Sequence, residues 1–123
     1  MKYSRLEEWA LREVRDLRKK LSPEVARHAD AVPVVCFAEP TPEMEDEGLE
    51  PDLLGLFVGP AMDEEPGLDD PLPPEILLFL GNLWDYAEED PEIFREEVRR
   101  TYLHELGHYL GLEEDDLVAR DLD

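Results

Sequence analysis

The chain has 123 residues, 42% of them hydrophobic, and a formal net charge of −21, which suits one domain (1–123) with a modest core. The charge is segregated: residues 1–30 carry eight basic and six acidic side chains, 31–94 carry 18 acidic and no basic ones, and 95–123 carry four basic and nine acidic ones. A net charge of −21 argues against a nucleic-acid backbone or an anionic membrane, both of which call for a clustered Lys or Arg surface, so neither is expected as a partner.

Tyr3, Leu6, Ala10, Val14, Leu17 and Leu21 recur at steps of three and four, which predicts an amphipathic helix over 4–21. Ser4 and Glu7 have capping-box spacing at its start. The opening segment is charged and has no apolar run of signal-peptide type, so a reducing cytoplasmic setting is expected. Ser22-Pro23 has the form of an N-cap followed by proline at the first helical position, predicting a short helix over 23–29. His28 near its end reads as a surface or capping residue.

Val32 to Ala38 is apolar on both faces and rich in valine, predicting a buried strand. Cys36 within it is the only cysteine, so the chain has neither a disulfide nor a cysteine-built zinc site, and it reads as an inert buried thiol. Residues 39–52 read as an acidic loop, 53–58 as a second strand, 61–74 as another acidic loop and 76–80 as a third strand. Nine of the 11 prolines fall between 33 and 74, consistent with strands joined by stiff loops. Trp9, Trp84 and Tyr86 read as core or rim packing, and Gly55 and Gly107 as close-packing positions.

Asp90-Pro91 repeats the cap-then-proline start. Phe94, Val98, Tyr102, Leu106 and Leu110 step by four along one stripe, with Ile93 and Leu103 beside it, and Gly111 is placed to end the helix. Leu117, Val118 and Leu122 suggest a short final helix. The whole reads as an α+β domain, with the first and last long helices packed on a small sheet of three or four strands. The absence of Gln, the single Asn82 and nine Arg against three Lys give a thermophile-like composition.

The last long helix carries His104-Glu105-Leu106-Gly107-His108-Tyr109-Leu110-Gly111. Two histidines at i and i+4 share a helix face with Cβ atoms about 5–6 Å apart, which lets both rings converge on one zinc. Glu105 stands beside the first and is positioned to take a proton from a metal-activated water. A third ligand must follow a sharp turn, since a continuing helix would carry position 114 about 9 Å past His108 at ~1.5 Å per residue. Gly111 permits that turn. Glu114 is the candidate ligand, with Asp115 and Asp116 close enough to take its place.

These residues resemble the His-Glu-x-x-His-x-x-Gly-x-x-[Asp/Glu] motif of zincin-like metallopeptidases. Most of the chain, roughly 5–120, resembles a small bacterial family of them with a minimal matrix-metalloprotease-like domain. Leu54-Gly55-Leu56-Phe57-Val58-Gly59, the strand near Ile76, and Thr101, His104, Glu105, His108 and Gly111 match in order. The resemblance implies zinc on His104, His108 and the acid at 114, with Glu105 as general base.

The function expected is zinc-dependent hydrolysis of peptide bonds in neutral or basic peptides or proteins, the peptide lying along an edge strand at 53–58 or 76–80. Mg or Ca are expected only as adventitious ions. Two other readings come from different classes. One is a non-catalytic metal-binding or protein-interaction module with a degenerate zincin site, favoured by the absence of a methionine after the motif. The other is an acidic decoy that binds a basic protein through residues 39–75.

Overall fold

The computed structural model describes residues 2–61 and 73–111. Along them run α1 (Tyr3–Lys20), α2 (Pro23–Ala29), β1 (Val34–Phe37), α3 (Pro42–Asp46), β2 (Gly55–Val58), β3 (Glu75–Phe79), α4 (Leu80–Tyr86) and α5 (Pro91–Leu110). Three helices start with an oxygen-bearing cap followed by proline. Ser22 Oγ accepts from the Val25 N–H at 3.3 Å, and Asp90 Oδ1 accepts from Glu92 and Ile93 at 2.9 and 3.1 Å. The third is unexpected: Thr41 Oγ1 accepts from the Met44 N–H at 3.2 Å ahead of Pro42, so the expected loop 39–52 contains the turn of helix α3.

The expected Ser4–Glu7 capping box does not form. The Arg5 and Leu6 amides already bond the Lys2 carbonyl, at 3.0 and 3.4 Å, so α1 starts before Ser4 and its cap, Lys2, uses no side chain.

The three strands are ordered β1-β3-β2. β1 runs parallel to β3, with Val34 opposite Ile76 and Phe37 opposite Phe79. β2 runs antiparallel to β3, with Gly55 opposite Leu78 and Val58 opposite Glu75. β3 is central, and Ile76 to Phe79 are all buried, as a near-continuous apolar run requires. An edge at 76–80 is therefore corrected to β2. The expected buried strand Val32–Ala38 shortens to four half-buried residues because β1 lies at an edge of the sheet.

The third strand stops at Phe79, and the chain enters α4 without a loop. Ala38 O accepts from the Gly81 and Asn82 amides at 2.8 and 3.3 Å, which ties the ends of β1 and β3 together. A Cβ on Gly81 would come within 2.7 Å of that same oxygen. Asn82 then turns its side chain to the loop before β2, where Nδ2 donates to Pro51 O at 2.8 Å and Leu53 O at 2.9 Å. The single asparagine of the chain thus fixes the approach to β2.

One core joins the layers. Leu6, Ala10 and Val14 of α1 meet Phe94, Val98, Tyr102 and Leu106 of α5, with Ile76 and Leu78 of β3. Each fully buried large side chain here contributes about 1.5–3 kcal/mol. α5 packs beneath β2 and β3, while α1 packs on α5 and α4. Leu103 is buried as expected beside the α5 stripe, but Ile93 faces solvent. Trp9, Trp84 and Phe94 form an aromatic cluster with ring centroids 5.7 to 6.3 Å apart, and Tyr86 stays exposed at the rim. Arg18 locks the join between α1, α2 and α5. Its Nε donates to the Tyr102 hydroxyl at 3.0 Å, and one terminal nitrogen donates to Ala29 O at 3.3 Å and Val32 O at 3.0 Å.

Candidate metal centre

The Asp90 cap and Pro91 start α5, and Gly111 ends it with a left-handed φ of 72°. Its second half is covered on nearly every side. Residues 101–103, 105–107 and 109 are buried, and within 101–109 only His104 and His108 are exposed. The two imidazoles stand one turn apart, with ring centroids 4.6 Å apart and planes at 65°. Exposed histidines side by side at the end of a core helix are available to a ligand without any rearrangement of packing.

The stripe Thr101, Glu105 and Tyr109 lies against β2. Gly55 meets Thr101, where a Cβ would fall 2.5 Å from the threonine methyl. The Phe57 ring meets Tyr109, centroids 5.8 Å apart. Between these contacts Glu105, 7% exposed, accepts the Phe57 backbone N–H on Oε1 at 3.0 Å. That oxygen is also 3.2 Å from His108 Nδ1. Donor atoms of His104, Glu105 and His108 all lie within 4.8 Å of one another, and among the described residues no other group of His, Cys, Asp or Glu is so arranged.

The structure thus brings together three of the expected site residues, His104, Glu105 and His108. Glu114, Asp115 and Asp116 lie outside the described residues, as does the expected final helix. Gly111 adopts the conformation its role requires, with its N–H bonded to His108 O at 3.2 Å. His28 is half-buried in the last turn of α2 and takes no part in the cluster. Cys36 is free and half-buried, and burial, aided by the nearby Glu7 charge, pushes its thiol up to about 12. The part of the site missing from the sequence reading is the Phe57 amide, since a backbone donor leaves no mark in residue identity. The glycine at 55, inside a strand of large residues, was the available signal that another element approaches there closely.

A cleft of about 810 Å³ opens beside His104 and Glu105, between the segment leading into β2, α4 and the middle of α5. Glu50, Asp52, Asp85 and Glu97 line it and, among the described residues, face one cation, Arg100, which is itself 3.6 Å from Glu97.

Two exposed imidazoles side by side suit zinc as ligands, and the Glu105 carboxylate lies beside them. The zincin-like metallopeptidase family matches residues 29–123, and the chain belongs to it. No curated protein matches the chain. No helix among the described residues is long and apolar enough to cross a membrane.

Proposed function

We propose that this protein is a zinc-dependent peptidase. His104 and His108 hold the metal with a third ligand from the acids after Gly111, Glu114 first among them, and Glu105 is the general base. The observation that carries the reading is the exposed histidine pair on an otherwise buried helix, with the Glu105 carboxylate fixed beside it. When bound, zinc supplies a water acidic enough to be activated near neutral pH and a positive charge for the scissile carbonyl oxygen.

The protein's own residues do the rest. The Phe57 amide and the surrounding core keep Glu105 Oε1 on the imidazole side of α5, within reach of a proton released there. β2 is an edge strand, and its outward backbone groups can align an extended peptide across the histidines. The acidic cleft at the start of β2 favours neutral or basic side chains and repels acidic ones. A single cysteine agrees with a cytoplasmic setting.

The test pairs metal analysis with digestion of a peptide library. Wild type and Glu105→Gln should each carry about one zinc, while His104→Ala should carry far less. Removing the general base should reduce cleavage by about 10²–10⁴-fold. Cleavage by Glu105→Gln at the wild-type rate would overturn the assignment of the base. Stoichiometric zinc with no cleavage of any peptide would favour the non-catalytic module instead.

A further inference from the structure

The peptidase reading leaves open what Glu105 does before a peptide arrives, and the β2 edge bears on that. Leu54 O accepts from the Phe79 N–H at 3.0 Å, which makes 54 and 79 a hydrogen-bonded pair. Such pairs alternate along an antiparallel ladder, so Leu56 and Val58 bond inward to β3, and the backbone groups of Gly55 and Phe57 point outward. The outward N–H of Phe57 is already engaged, because it donates to Glu105 Oε1 at 3.0 Å. It is also the amide that a strand added to this edge would need.

One N–H cannot serve two acceptors at full strength. We infer that the Phe57 amide is a latch: it occupies Glu105 Oε1 in the peptide-free protein, and an extended peptide that pairs with β2 takes this amide and frees that oxygen, which already lies 3.2 Å from His108 Nδ1, to accept a proton. Phe57 is then a positioning residue acting through its backbone, and strand addition itself frees the base. The inference rests on the peptidase reading for its purpose. The contact and its exchange can be measured without turnover.

The experiment uses isotope-labelled, zinc-free full-length protein followed by NMR. In Glu105→Ala the Phe57 amide should exchange with solvent at least about tenfold faster, while the inward-bonded Leu56 amide is unchanged. Addition of an end-capped, arginine-containing peptide of about six residues to wild type should then move the Phe57 amide and the Glu105 side-chain carboxyl signals together. Unchanged Phe57 exchange in Glu105→Ala would overturn the latch. So would a Glu105 signal that stays still at the highest peptide concentration reached. Failure of the zinc-loaded wild type to cleave the same peptide would instead count against the peptidase reading, and it leaves the two NMR results standing.

Discussion

Gly55 of β2 lies so close to Thr101 of α5 that a Cβ at 55 would fall 2.5 Å from the threonine Cγ2. The missing side chain sets the distance between α5 and the edge strand, and therefore lets Glu105 reach the Phe57 amide. Gly55→Ala should destabilise the protein by about 1–3 kcal/mol, as overpacking of a tight contact does. Thr101→Ser, which removes the offending methyl, should restore most of that loss in the double variant. Urea unfolding of the four-member cycle measures the coupling, and simple additivity would show that the clash lies elsewhere.

Arg18 offers a second test, one that bears on stability alone. It holds the Tyr102 hydroxyl and two backbone carbonyls at the junction of α1, α2 and α5. Arg18→Met keeps much of the aliphatic packing and removes every donor, so a loss of about 1–3 kcal/mol is expected. Tyr102→Phe removes one of these bonds and should cost about 1 kcal/mol. Arg18→Lys should recover only part of the loss, since a single ammonium lacks the fork that spans three acceptors.

Zinc should stabilise the fold by mass action. At a free concentration a hundred times its Kd, the gain is about 2.7 kcal/mol. Thermal melts of wild type should therefore rise with zinc and fall back with a chelator. Melts of His104→Ala and of His108→Ala should stay nearly flat across the same titration.

Cys36 makes a prediction at alkaline pH. Its thiol is pushed from an ordinary value of 9.0 up to about 12, mainly by burial and secondly by the Glu7 charge. A folded-state value above the unfolded one means that its contribution is whole below pH 9 and is lost as pH climbs toward 12. Stability should decline across that window, and Cys36→Ala should flatten the decline. Native protein at pH 8 should resist alkylation that urea-unfolded protein undergoes readily.

Where local chemistry decided the structure, the sequence was legible. Ser22-Pro23 and Asp90-Pro91 carry their helix starts in the residues themselves, and Gly111 carries its turn. Thr41-Pro42 bears the same signature, but acidic and proline-rich surroundings masked it as loop. α4 was hidden for another reason: seven residues directly after a strand are too few to show a helical period. The histidine pair was plain because i and i+4 spacing is a property of one helix. The grip of β2 on Glu105 was not, because it joins residues 48 apart in sequence through a backbone group.

Because α5 is buried all around His104 and His108, the imidazole pair is attached to a helix that packs into the core and should be among the last parts of the protein to open. Local breathing that exposes a loop-borne site to rearrangement has little purchase there. The empty protein should therefore keep its two nitrogens at working separation, so that metal can leave and return without refolding. Such a protein would tolerate scarcity of its ion, standing idle in the apo form and resuming as soon as supply recovers. Amide exchange of residues 101–109 that matches the slowest in the chain, with and without zinc, is the sign by which this endurance would be recognised.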